Sequence, residues 1–135
     1  AYAQSKLANV LFAYELQRKF EENDLDMKSV ACHPGYASTN LQYRGPQEEG
    51  SKLRLVGMKF ANTLFAQSAA KGALPMLYAA TSEEINGGEY IGPGGLGNMR
   101  GYPEEQESSP ESQNEDAAEA LWTRSEALTE TEYEL

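Results

Sequence analysis

Val30-Ala31-Cys32 is an unbroken apolar run that stops at His33-Pro34-Gly35. A strand with one wet face alternates apolar and polar residues. One without alternation must be covered on both faces, the habit of parallel sheets flanked by helices. Proline removes a ladder donor and glycine frees the turn, so a buried strand leading into a loop is predicted. Helical patterns stand on either side. From Tyr2 to Glu22 strong helix formers dominate, Leu7, Val10, Leu11, Tyr14 and Leu16 recur at helical spacing, and the pattern ends near Asn23-Asp24. After a polar loop, Leu53, Val56, Phe60 and Leu64 make an apolar stripe on a second helix over 52–65, with Leu55, Met58 and Phe65 beside it. Ser68 is placed to cap a third helix through Tyr78, kinked at Pro75. Gly87-Gly88 then leads into a short strand, Glu89-Tyr90-Ile91-Gly92, closed by Pro93-Gly94-Gly95. The order helix, strand, helices, strand predicts the second half of an α/β sheet.

The 135 residues suffice for one modest domain. From Gly101 the composition turns to Pro, Glu, Ser and Gln, which marks 101–114 as a flexible acidic linker. A last helix is predicted over 115–128, with Ala118, Leu121, Trp122, Ser125 and Leu128 on one face, so that 115–135 reads as a C-terminal helix and tail. The formal charge of −10 belongs to this end: residues 1–103 carry ten acidic and ten basic side chains, and 104–135 carry eleven acids against Arg124. Such a tail favours solubility and disfavours nucleic acid; a surface adapted to high salt is the weaker alternative. The lone cysteine, Cys32, excludes a disulfide within the chain and reads as an inert buried thiol. No stretch approaches the roughly 20 apolar residues that cross a bilayer. A cytoplasmic compartment is the default expectation.

The leading helix carries the chemistry. Tyr2 and Lys6, at i and i+4, share a helix face. A phenol has a reference pKa of about 10, but a neighbouring ammonium favours its phenolate form, which makes the pair a proton-transfer group. Alone, the spacing more often marks nothing but a solvated helix face.

Its surroundings change that. YAQSKLANVLF resembles the active-site helix of the short-chain dehydrogenase/reductase family, and its SKLAN continuation is similar to the branch holding retinol dehydrogenases, WW-domain oxidoreductases and protochlorophyllide reductases. VACHPGYAST resembles the family's strand and Pro-Gly loop, with Thr39 four residues after Gly35, and LWTRSEALT is similar to the last helix of the retinol-dehydrogenase branch. The resemblance implies the C-terminal half of a doubly wound Rossmann domain over residues 1–100. The Gly-rich pyrophosphate turn and the catalytic serine of the family are not in this sequence, so the piece alone is expected to be inactive. The implied activity is hydride transfer between NADP or NAD, with NADP favoured by the resemblance, and an alcohol or carbonyl substrate, lipophilic in the retinol-dehydrogenase manner. By the same resemblance Tyr2 is the acid/base, Lys6 lowers the barrier to its ionisation and binds the nicotinamide ribose, Pro34 and Gly35 bring backbone to the nicotinamide, and Thr39 bonds its carboxamide. Homo-oligomerisation is a further expectation. A non-catalytic cofactor sensor that binds a protein partner is the rival from another class. A light-driven tetrapyrrole reductase is the rival within enzymes, though such a protein would show more cysteines than Cys32.

Other candidates are weaker. His33, the only histidine, reads as a hydrogen-bonding residue at a strand end, and no metal site is expected. Asn9 lies near the Tyr2–Lys6 face and reads as a packing residue. GGEYIGPGGLG lacks the strand, Gly-rich turn and helix context of a phosphate loop. The 53–65 segment is expected to form a lid over a lipophilic pocket, with Lys52, Arg54 and Lys59 permitting membrane-surface contact as a lesser option.

Overall fold

The computed structural model describes residues 2–36 and 67–133. Among these, the helices are α1 (Tyr2–Glu22), α2 (Ala69–Gly72), α3 (Leu74–Thr81) and α4 (Glu115–Thr129), and the strands are β1 (Ala31–Cys32), β2 (Tyr90–Pro93) and β3 (Pro103–Glu105). Single turns of 3-10 helix occur at Leu96–Asn98 and Pro110–Gln113. The chain divides into two compact units, one of Ala1–Ala31, Glu83–Tyr90 and Gln106–Leu135, the other of Cys32–Ser82 and Ile91–Glu105. The helix expected over 52–65 lies outside the described residues.

In the first unit α1 packs against α4 and against the Pro110–Gln113 turn. The apolar stripe of α1 buries Leu11 and Phe20, and α4 supplies Ala118 and Trp122. Trp122 stacks on Phe12 with ring centroids 5.0 Å apart and planes 14° from parallel, while Lys19 Nζ sits 5.0 Å from the centroid of the Trp122 ring. Glu15, buried on α1, is compensated by Arg18 and by Lys19, whose Nζ lies 3.4 Å from its carboxylate. Burying a carboxylate unpaired would be costly, so these cations let the helix turn that face inward. Helix α1 stops where the sequence suggests. Asp24 adopts a left-handed conformation (φ 53°), Leu25 N–H reaches back to Phe20 O (2.8 Å) and Asp24 N–H to Glu21 O (3.2 Å), which caps the last carbonyls. Helix α4 begins at Asn114, whose side chain accepts from Ala117 N–H (2.9 Å), with Glu115 and Asp116 in the first turn complementing the helix dipole. Leu128 differs from expectation: it falls beyond the packed stretch and is 67% exposed.

The strand order is β1-β2-β3. Ala31 N–H donates to Glu89 O (3.0 Å), and two residues on, in the second unit, His33 N–H donates to Ile91 O (2.9 Å). Both strands advance in the same sense, so β1 and β2 are parallel, as the unalternated run predicts. Being at the edge of this sheet, β1 is half-buried rather than buried; the central strand β2 is the one enclosed, through Ile91, Gly92 and Pro93. β3 pairs antiparallel with β2, Ile91 opposite Glu105 and Pro93 opposite Pro103. This strand and the Pro110–Gln113 turn occupy the stretch whose composition suggests a linker. Strand pairing is made by the main chain, which composition does not report, and the buried Ser112 hydroxyl donates to Ser109 O (2.6 Å) and lies within hydrogen-bond distance of the Ser108 hydroxyl (2.7 Å). In the second unit Ser68 caps α2, accepting from Lys71 N–H (3.3 Å), and α3 follows Ala73 with Pro75 in its first turn. A proline there needs no donor, so the predicted kink becomes a boundary between two helices.

If the Phe12–Trp122 stack organises the first unit, Trp122→Ala should cost about 3–5 kcal/mol, the range for deleting a buried aromatic. Leu128→Ala on the same helix should stay within about 0.5 kcal/mol. Chemical denaturation of the two variants beside the parent checks the contrast.

Candidate functional site

Helix α1 carries its first turns into solvent. Tyr2 is 70% exposed, and Lys6 and Asn9 are exposed with it. Lys6 Nζ lies 5.4 Å from the centroid of the Tyr2 ring, so the ammonium faces the π-cloud of the phenol and the i, i+4 spacing is realised as contact. Ser5 Oγ donates to Tyr2 O (2.8 Å) within the same turn. This is an exposed donor set of one hydroxyl and one ammonium on a regular helix. Its chemistry suits a ribose diol and a substrate oxygen, so the residues present fit the nicotinamide nucleoside part of a dinucleotide.

Pro34 and Gly35 belong to the second unit. Gly35 has φ 61°, and a Cβ placed on it would lie 2.5 Å from Met99 O and 2.5 Å from Pro93 Cγ. Only glycine can adopt this backbone while leaving room for that approach. The loop is further shaped by His33, whose Nδ1 accepts from Gly35 N–H (3.2 Å), and by Tyr36 N–H, which donates to Met99 O (2.6 Å). His33 thus has the hydrogen-bonding role expected at the strand end. Thr39, the 53–65 lid and its flanking Lys52, Arg54 and Lys59 lie outside the described residues.

Cys32 is half-buried, and burial pushes its thiol above the ordinary range, so at neutral pH it is a weak nucleophile. Gly92, within β2, has Gly-x-Gly-x-x-Gly spacing with Gly94 and Gly97. They lead into a single 3-10 turn and β3, however, and a phosphate cradle needs a helix whose free N–H groups face the anion. No group of three or more His, Cys, Asp or Glu side chains that could hold a metal occurs among the described residues. No helix among them is long and apolar enough to cross a membrane.

One residue of this region escapes sequence reading. Gln67 is 6% exposed; its Nε2 donates to Pro34 O (2.8 Å), and its Oε1 accepts from Gly101 N–H (3.2 Å). A single glutamine carries no periodic or motif signal that could have singled it out.

No family model matches the chain. Individual proteins do. It is similar to retinol dehydrogenase 13 of Mus musculus, 34% identical over 131 residues that cover 95% of this chain and 35% of that protein. It is also similar to a short chain dehydrogenase/reductase of Colletotrichum higginsianum, 33% identical over 128 residues, 90% of this chain and 28% of the other. The crystal structure of an uncharacterized protein from Mycobacterium paratuberculosis superposes with a TM-score of 0.70 at 32% identity, covering 100% of this chain and 40% of that one. The chain thus spans roughly a third of the length of these curated relatives.

The Gly35 geometry yields a paired prediction. Gly97 shares its φ of 61° but has open space, with Met99 Cε at 3.7 Å the nearest atom. Gly97→Ala should therefore cost only the left-handed backbone penalty of about 1 kcal/mol. Gly35→Ala adds a collision with backbone and should cost at least about 2 kcal/mol. Thermal or urea unfolding of the two variants measures the difference.

Proposed function

Because the chain belongs to the short-chain dehydrogenase/reductase family, with retinol dehydrogenases among its relatives, we propose that it supplies the proton-transfer portion of an oxidoreductase. That enzyme moves a hydride between a nicotinamide cofactor and an alcohol or carbonyl substrate. The observation that carries the reading is the Tyr2–Lys6 contact on one exposed face of α1. In the reducing direction Tyr2 gives its hydroxyl proton to the carbonyl oxygen as negative charge develops there. In the oxidising direction the phenolate takes the proton from the alcohol. The Lys6 ammonium opposes the negative charge left on the phenol and, by likeness to the family's motif, donates to the ribose hydroxyls of the cofactor. When bound, the nicotinamide supplies or accepts the hydride itself. Pro34 and Gly35 offer loop backbone toward the nicotinamide, and Thr39 a hydroxyl toward its carboxamide, both by likeness to the family's motif. NADP is favoured over NAD on the same ground.

A lipophilic alcohol or aldehyde, the chemical class of retinol, is the substrate this reading favours, since retinol dehydrogenases stand among the relatives. Among the described residues no Gly-rich turn between a strand and a helix is there to hold the pyrophosphate, so the chain by itself is expected not to turn over.

The test is made in the protein completed to its relatives' length. Tyr2→Phe keeps the ring and removes the transferable proton, so turnover should fall by about 10²–10⁴-fold with cofactor affinity little changed. Lys6→Met should lower both turnover and cofactor affinity, because one side chain serves both tasks. Near-parental turnover of Tyr2→Phe across the pH range would reduce the phenol to a packing residue and remove the proposal.

A further inference from the structure

Gln67 joins two backbone segments that strand pairing does not serve. Its side-chain amide spans from Pro34 O to Gly101 N–H, while its own main-chain N–H donates to Tyr36 O (2.9 Å). Tyr36 N–H in turn donates to Met99 O (2.6 Å). Residues 34–36, 67 and 99–101 are therefore stitched together, and Gln67 is the side chain that contributes to the stitching from both ends of its amide. A buried primary amide is retained only where both its donor and its acceptor are satisfied, because leaving either unmet costs more than an apolar replacement would. At 6% exposure Gln67 meets that condition with backbone groups alone, so its orientation is fixed and it fixes the loop in return.

We propose that Gln67 is a positioning residue that sets the Pro34–Gly35 backbone for the nicotinamide end of the cofactor. The inference rests on the oxidoreductase reading above for its functional half and on the hydrogen bonds of the second unit for its structural half. Gln67 touches no reacting atom. It acts through the carbonyl of Pro34, and it determines how far that loop stands from Met99 and Gly101. The left-handed Gly35, which has no room for a side chain against Met99 and Pro93, leaves the loop one narrow path. Gln67 selects the position along it.

Two variants and two measurements test this. Gln67→Leu removes both side-chain bonds. Gln67→Glu keeps the shape and the acceptor for Gly101 N–H but turns an oxygen toward Pro34 O. In the 135-residue chain, hydrogen exchange should quicken at Tyr36 in both variants and at Gly101 only in Gln67→Leu, with the Ala31 and Gly88 amides of the other unit unchanged. In the protein completed to its relatives' length, KM for the nicotinamide cofactor should rise about tenfold in both variants, the factor that one unmet buried hydrogen bond corresponds to. The kcat at saturating cofactor should change by less than about threefold, since the Tyr2–Lys6 pair is untouched. Faster exchange with an unchanged KM would make Gln67 a merely structural residue and overturn the proposal. A parental KM in Gln67→Glu beside a raised one in Gln67→Leu would overturn it too, because donation to Pro34 would then not matter. Should Gln67→Leu fail to fold, the exchange rates and KM of Gln67→Glu decide between the same two outcomes. If the completed parent shows no nicotinamide-dependent turnover, it is the oxidoreductase reading that fails, and with it the functional half of this proposal; the exchange pattern still decides the clamp.

Discussion

Trp122 stacked on Phe12 fixes helix α1 along its middle, and the use of that helix follows from where it is held. Leu11, Glu15, Gln17 and Phe20 are buried, while Tyr2 through Lys6 are exposed. At about 1.5 Å rise per residue, the ten residues from Phe12 back to Tyr2 carry the phenol roughly 15 Å from the stack along a regular helix. A helix transmits that position with little loss, and catalytic groups on helices are held more precisely than groups on loops. The other end is fixed as well. Gln17 Oε1 accepts from Ser29 N–H (2.8 Å), and Gln17 Nε2 donates to Glu21 (2.8 Å), tying the last turns of α1 to the approach to β1. Gly87 leaves the room that this side chain occupies.

The second unit solves a different problem, the placement of a loop that has no regular structure of its own. Backbone outside strands and helices still needs its hydrogen bonds met. Here a histidine nitrogen, a main-chain carbonyl and a buried glutamine meet them, around a left-handed glycine that has no room for a side chain against Met99 and Pro93. Each contact is weak alone. Together they leave residues 33–36 few alternatives, the condition under which loop backbone can serve as a recognition surface.

What the sequence makes legible is what depends on neighbours in the chain. The bounds of α1, the Asn23-Asp24 stop, the Ser68 cap and the last helix over 115–128 are written in periodicity and capping residues, and the structure follows them closely. The unalternated Val-Ala-Cys run points to a parallel strand because face-to-face cover is a local demand on composition. The family was legible because YAQSKLAN and HPG stand in the right order, and similarity to retinol dehydrogenases and to a short chain dehydrogenase/reductase over most of the chain agrees. β3 was not legible: Pro103, Glu104 and Glu105 have poor strand propensity, and it is the exposed neighbour edge of β2 that recruits them. Nor was Gln67, whose role exists only once Pro34 and Gly101, 33 and 34 residues away, are brought to it. The cause of Gly35 was half legible. A Pro-Gly loop is visible in the sequence, but the carbonyl of Met99 that forbids a side chain there is not.

The most direct test of the Tyr2–Lys6 mechanism is to follow the hydride in the protein completed to its relatives' length. A nicotinamide cofactor deuterated at the transferable position of C4 would be given to a long-chain lipophilic aldehyde, and the alcohol product analysed by mass spectrometry. The expected product carries one deuterium on the carbinol carbon. The rate of its appearance should drop by about 10²-fold or more when Tyr2 loses its hydroxyl. An alcohol without the label, or label appearing as fast without the phenol as with it, would contradict the claim that this helix delivers the proton that accompanies a hydride.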